Sequence, residues 1–199
     1  MTAPAASLPM YDRPEIRGAT DRLWAAVRAG LEASGIASPA ALDRERPPAA
    51  VWTDPALVLS QACGLPLATW LAGRVAYVAT PDYALDGCPP GHYRSAVVVA
   101  EECPATALPE MRGARPAINA RDSQSGHAAL MRAAAPHARD GRFFGPALET
   151  GAHAASMEAV AAGAADLAAI DAVAWALARR EGDRAAGRLR VLAWTAPAP

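Results

Sequence analysis

The run Tyr93 to Ala100, Tyr-Arg-Ser-Ala-Val-Val-Val-Ala, constrains the fold of this chain more than any other stretch. Three consecutive valines between alanines leave no polar face, and β-branched side chains favour extended backbone. A near-continuous apolar strand of this kind belongs inside a sheet that is covered on both faces. Helices must then be available to cover it, and strand-like and helix-like segments do alternate along the 199 residues. That alternation predicts an α/β fold with mixed, mostly parallel sheets flanked by helices.

The remaining elements follow from periodicity and punctuation. Ala5 to Met10 reads as a first strand that ends at Tyr11-Asp12. Residues 16–35 have helical spacing, with Leu23, Trp24, Val27 and Leu31 on one face and Gly35 as the stop. Pro47-Pro48 predicts a loop before a short strand over 50–52. Thr53 or Asp54 would then cap a helix that carries Leu57, Val58, Leu59 and Gln61 and ends near Gly64-Leu65-Pro66. The β-branched run 75–80 reads as another strand, followed by a Pro- and Gly-rich loop over 81–92. A short helical turn is expected over 108–113, and a buried strand over 116–120. Then come a helix from near Ser125 to about Ala134 and a second from Thr150-Gly151 to Gly163, with Met157 and Val160 turned inward. A strand over 166–170, a helix over 172–180 and a last strand over 189–195 complete the chain. The break near 100–109 reads as a crossing between two lobes.

Composition excludes several classes. A chain that is 52% hydrophobic and 20% charged suits a globular core. The formal net charge of -1, with no basic block, gives no footprint for nucleic acid. No apolar run reaches the roughly 20 residues needed to span a bilayer. Cys63, Cys88 and Cys103 form no metal-binding pattern, so neither a metal nor a cofactor is expected. Free thiols are the default, with a Cys88–Cys103 pairing across the Pro89-Pro90-Gly91 turn as the alternative. The first ten residues lack a basic n-region and a long apolar h-region, so the chain as written is expected in the cytoplasm. A periplasmic location is the alternative if a signal has been removed or lost.

The chemistry concentrates where strands hand over to helices. Asp122-Ser123-Gln124-Ser125-Gly126 lies between the strand over 116–120 and its helix. The first amides of a helix have no internal partner and carry partial positive charge. With serine hydroxyls beside them they suit a phosphate, phosphonate or carboxylate oxygen. The alternative is that Ser123 or Ser125 only caps the helix. Thr150/His153 and Asp171 occupy the same kind of position, and three such starts in one half argue for more than separate caps. Asp171 has an N-cap reading of its own, and His153 a capping or solvent-facing one. Trp24, Trp52, Trp70, Trp175 and Trp194 read as core or interface residues, and His92, His127 and His137 as surface residues.

Taken together, Asp-Ser-Gln-Ser-Gly (122–126), Thr-Gly-Ala-His-Ala-Ala-Ser-Met (150–157) and Gly-Ala-Ala-Asp-Leu-Ala-Ala-Ile-Asp (163–171) resemble the second lobe of PhnD-like substrate-binding proteins. These form the phosphate/phosphite/phosphonate ABC-transporter family, with the type 2 periplasmic binding protein fold. Ala-Ser-Leu-Pro-Met-Tyr (6–11) and Leu-Ser-Gln-Ala-Cys-Gly-Leu-Pro-Leu (59–67) resemble the first lobe more loosely. The resemblance implies a first lobe over 1–102, a second over 103–188, and a strand returning toward the first over 189–199. Relatives continue through more of the first lobe, so its C-terminal part is expected to be missing here. The implied site holds an oxyanion on Ser123, Gln124, Ser125, Gly126 and His153. Asp171 would accept from an amine or hydroxyl of the ligand. Tyr11, Tyr93, Ser60 and Gln61 are the further candidates, and packing at a cleft edge is the alternative for the two tyrosines. Gln124 between the serines, and Ala152 where serine is common, leave fewer hydroxyls than in relatives.

The expectation is a non-enzymatic solute-binding protein that captures a small phosphonate-like or phosphate-like oxyanion between lobes as a transport component. Its partners would be that anion and an ABC permease, with a homodimer also open. One alternative is a cytoplasmic sensory module with a regulatory partner. The other is a hydrolase using Ser123 or Ser125, His153 and Asp171, against which stands the absence of a G-x-S-x-G elbow.

Overall fold

The computed structural model describes residues 3–198. The chain forms two compact units, residues 1–77 and 78–199.

In the first unit β1 (Ala5–Ser7) pairs in parallel with β2 (Leu57–Ser60), with an irregular register between Ala5 and Ala6. Helix α1 (Arg17–Ala33) packs its Trp24 against Ala6, Leu8 and Leu42, with Val27 and Leu31 partly buried alongside. Leu23, expected on the same face, is 52% exposed. Gly35 stands just past the helix end with φ of 77°, a conformation that glycine alone adopts without strain.

The segment between Pro47 and Pro66 corrects the sequence reading. The expected strand over 50–52 is part of a helix, α2 (Pro48–Trp52), and the expected helix through Leu57–Leu59 is β2. Pro48 opens α2 because a first-turn proline loses no helical hydrogen bond. Asp54 does not cap a helix. Its Oδ1 accepts from Ala56 N at 2.8 Å, an Asx turn that swings the chain into β2. The consecutive apolar residues Leu57, Val58 and Leu59 fit a strand better than an amphipathic helix. A short helix, α3 (Gly64–Ala68), follows. The run 75–80 forms no strand, and Tyr77 and Val78 are 62% and 75% exposed. β-propensity without a surface to cover does not make a strand.

The second unit is built on a five-stranded sheet in the order β5-β4-β6-β3-β7. Its strands are β3 (Ser95–Ala100), β4 (Pro116–Ile118), β5 (Leu148–Glu149), β6 (Leu167–Asp171) and β7 (Leu189–Trp194). β4 runs parallel to β5 and β6, while β3 is antiparallel to both β6 and β7. β3 lies inside the sheet with Ser95 to Val99 buried, as its sequence demands. On one face Val97, Val99, Leu167 and Ala169 pack against Leu108, Met111, Leu130, Ala134 and Phe143. Helices α4 (Ala129–Ala134), α5 (His153–Ala161) and α6 (Ala172–Arg180) follow β4, β5 and β6 in turn.

The expected lobe boundary after residue 102 differs from this division. β3 is hydrogen-bonded into the second unit's sheet, so that unit begins well before residue 103. β7, read as a strand returning toward the first lobe, pairs with β3 along its length, and a Tyr93–Ala198 bridge extends the pairing. Pro199 lies outside the described residues. No disulfide joins Cys63, Cys88 or Cys103. Among the described residues no helix is long and apolar enough to cross a membrane.

Candidate ligand-binding site

The topology of the second unit gathers three helix starts. β4, β5 and β6 are parallel neighbours, so their carboxyl ends lie on one edge of the sheet, each leading into a helix. Helices after adjacent parallel strands open a crevice at that edge, where ligands of such sheets collect. The antiparallel register of Ser95 with Asp171, and of Ala96 with Trp194, brings the start of β3 and the end of β7 to the same edge.

The three helix starts are not equivalent. Ahead of α4 the chain makes a π-helical turn, Gln124–Ala128, in which Ala128 N donates to Ser123 O at 3.0 Å. Wide turns of this kind concentrate at functional sites. Ser123 caps the turn: its Oγ accepts from Gly126 N at 3.0 Å. Asp171 caps α6, its Oδ1 accepting from Val173 N at 2.8 Å and Ala174 N at 3.3 Å. In both places the capping alternative is realised. α5 is different. Its N-cap is Ala152, and no side chain caps it.

The same helix start carries His153, whose Nε2 lies 2.9 Å from Ser125 Oγ. The loop before it is pinned to the end of β4. Thr150 N donates to Ile118 O at 2.8 Å, Gly151 N donates to Asn119 O at 2.9 Å, and Thr150 Oγ1 meets Ser156 Oγ at 2.7 Å. From the sheet, Ser95 Oγ donates to Ser125 O at 3.0 Å. Gly126 packs closely here: a Cβ on it would stand 1.7 Å from Asn119 Oδ1, so one of the two would have to shift. Burial pushes the His153 ring down to about 4, with only the Ala169 backbone pulling the other way, so the ring is neutral near pH 7. Tyr83 is pushed up to about 12, first by burial and then by the charge of Asp171.

The structure thus brings together Ser123, Ser125, Gly126 and His153, with Gln124 in the π-turn. Asp171 stands on the same sheet edge as the cap of α6. Tyr93 leads into β3, its N–H and carbonyl both paired with Ala198 at 2.9 and 2.8 Å. Tyr11, Ser60 and Gln61 belong to the first unit. There Ser60 Oγ lies 2.7 Å from Ser7 Oγ, and Trp52 Nε1 donates to Gln61 O at 2.9 Å. A hydrolytic triad is not assembled: His153 Nδ1 has no hydrogen-bond partner, while Asp171 Oδ1 serves α6. Asn119 and Tyr83 were absent from the set expected at the site. Asn119 carried one signal, a polar residue closing a buried apolar strand. Tyr83, in a Pro- and Gly-rich loop, carried none.

Comparison with known proteins gives the family. Over residues 65–199 the chain matches the family model described as "ABC transporter, phosphonate, periplasmic substrate-binding protein". No curated protein matches. Among solved structures, a binding protein component of an ABC phosphonate transporter from Pseudomonas aeruginosa is 14% identical with a TM-score of 0.69, over 99% of this chain and 66% of its own. The arginine-, lysine-, histidine-binding protein ArtJ from Geobacillus stearothermophilus is 9% identical with a TM-score of 0.59, over 98% of this chain and 79% of its own. PhnD1 from Prochlorococcus marinus, solved with methylphosphonate, is 18% identical with a TM-score of 0.49, over 53% of this chain and 42% of its own. The chain therefore spans from about two-fifths to two-thirds of the length of the phosphonate-binding structures it matches. The likenesses to the Pseudomonas and Geobacillus proteins establish an α/β fold of the type 2 periplasmic binding protein kind. The family match covers more than half of the chain, and with it this protein belongs to the non-enzymatic substrate-binding proteins of phosphonate ABC transporters.

Proposed function

We propose that the second unit captures a phosphonate-like or phosphate-like oxyanion at the N-terminus of α5, as the solute-binding part of an importer. One observation carries this reading: of the three helix starts on this sheet edge, counting the π-turn with α4, that of α5 is the one no side chain caps, and it presents His153 paired with Ser125. Unsatisfied helix amides with a hydroxyl and a ring nitrogen beside them are donors arranged for an anion. Asp171 repels a second anion at α6 and suits a hydrogen-bond donor on the organic part of the ligand. The family description supports phosphonate as the ligand class, and a permease as the partner follows from the same description.

A thermal-shift screen tests the reading with phosphate, phosphite, sulfate, methylphosphonate, aminoethylphosphonate and simple carboxylates. At a hundredfold excess over Kd a ligand bound only by the folded state adds about 2.7 kcal/mol, which is about 5–10 °C for a chain of this size. A shift with a phosphonate or phosphate that His153→Ala removes is the expected result. No shift with any oxyanion would refute it. Loss of growth on the recognised phosphonate as sole phosphorus source, after deletion of the gene, is the expected sign of import.

A further inference from the structure

Among the described residues two buried polar side-chain atoms have no hydrogen-bond partner, Asn119 Oδ1 and His153 Nδ1. An unsatisfied buried polar atom forfeits its hydrogen bonds to water with nothing in return, so such atoms are rare and call for a reason. These two are neighbours. A Cβ on Gly126 would lie 1.7 Å from Asn119 Oδ1 and 3.2 Å from His153 Cε1, so both side chains press on the same glycine. Asn119 closes β4 and holds the loop to α5 through Gly151 N. His153 opens α5 and already reaches Ser125 through its other nitrogen.

The chemistry of the ring gives the pair a purpose. Neutral imidazole has one N–H and one bare nitrogen, whereas imidazolium has two N–H groups. A ring that donates Nε2–H to an oxyanion as a cation leaves its Nδ1–H facing the protein, where it needs an acceptor. Asn119 Oδ1 is an acceptor with no other use. We propose that Asn119 is a positioning residue for anion binding, accepting the Nδ1–H of His153 when the ring takes one proton from solvent and turns its Nε2–H from Ser125 toward the oxyanion. This rests on the oxyanion reading above.

The balance of charge agrees. Burial keeps the ring neutral before an anion arrives, and the anion's own charge is what favours the cation. No carboxylate or guanidinium from β4, β6 or the π-turn contributes to that balance; the one opposing influence is the Ala169 backbone on β6. The Ala169 carbonyl is therefore the rival acceptor.

Ring-15N histidine NMR reads the protonation of both nitrogens, with His153→Gln assigning the signal among the four histidines. Methylphosphonate is the probe. The wild-type ring is expected neutral in the free protein and doubly protonated with methylphosphonate. In Asn119→Leu it should stay neutral, with affinity about tenfold weaker, the size of one hydrogen bond. Asn119→Asp should restore the doubly protonated ring. If Asn119→Leu does not fold, Asn119→Ala carries the same two readouts. A ring that charges in these variants as it does in the wild type would overturn the proposal in favour of the Ala169 carbonyl. A wild-type protein that binds methylphosphonate without charging the ring would overturn it too. Absence of wild-type binding to methylphosphonate or any other oxyanion would remove the oxyanion reading, and this proposal with it.

Discussion

Burial holds the His153 ring at about 4 against an ordinary 6.5. The unfolded chain therefore binds a proton that the folded chain refuses between those values, and stability falls as pH drops from about 6.5 toward 4. Asp43 and Asp54 are held low by hydrogen bonds with Arg46, Asp166 by Arg115 and Glu110 by Thr106, so their contribution is lost only below the usual carboxylate range. The two windows separate. A loss on the order of 2 kcal/mol between pH 6.5 and 4.5 is expected from His153, and melting curves of His153→Gln should be flat across it. A slope that survives in the variant assigns the loss elsewhere. The serines divide in the same way. Ser123→Ala should cost about 1 kcal/mol of stability by removing a cap, with ligand affinity nearly unchanged. Ser125→Ala should weaken an oxyanion about tenfold with a smaller effect on the melting temperature. Chemical denaturation and titration of both variants separate the roles, and reversed effects would reject the assignment. The sequence shows the two serines as equals, because the geometry that makes one a cap and the other a partner of His153 depends on where α5 begins.

Gly126 joins two elements. It stands in the π-turn before α4 against the side chain that closes β4, and a Cβ there would penetrate Asn119 Oδ1 and crowd His153. Gly126→Ala must push Asn119 aside or straighten the turn, and overpacking of this kind costs about 1–3 kcal/mol. A lower melting temperature together with weaker oxyanion binding is the expected outcome. An alanine variant as stable as wild type would show that the Asn119 side chain moves freely. In β3, β4, β6 and β7 and the helices that follow, the elements were legible because they are punctuated: Gly163 closes α5, Asp171 opens α6, and the valines of β3 allow only a buried strand. Around α2 and β2 the same rules misled. Pro48 and Asp54 are both helix-start signals, and only the pairing of β2 with β1, remote in sequence, decides that Leu57 to Ser60 extend. β5 is two residues long and exists through its pairing with β4, so no local pattern announces it.

At the scale of the whole chain the division falls between Tyr77 and Val78, where the sequence shows β-branched residues in place of a linker. Valines and a tyrosine at 75–78 read as a strand because propensity carries no information about whether a neighbouring strand exists to pair with. The family match begins at residue 65 and takes in all of the second unit, which is why that unit's motifs were recognisable and those of the first were loose. Residues 75–83 form neither helix nor strand, and Tyr77 is 62% exposed. A protease needs several residues of accessible backbone outside helix and strand, which this stretch offers. Of the ten other aromatic side chains, Trp24, Trp52, Phe143 and Trp175 are buried, five are partly buried, and Trp194, although 41% exposed, lies in β7. Brief chymotrypsin treatment is therefore expected to cut first after Tyr77, giving fragments 1–77 and 78–199, and Tyr77→Ala should slow that cut. The larger fragment should then persist, because its sheet and the packing of Val97, Val99, Leu130, Leu167 and Phe143 lie entirely within it. Mass spectrometry of the early digest decides. A first cut inside 95–194 would mean that the sheet opens more readily than the segment joining the units, against the hydrogen bonding that β3 makes on both its edges.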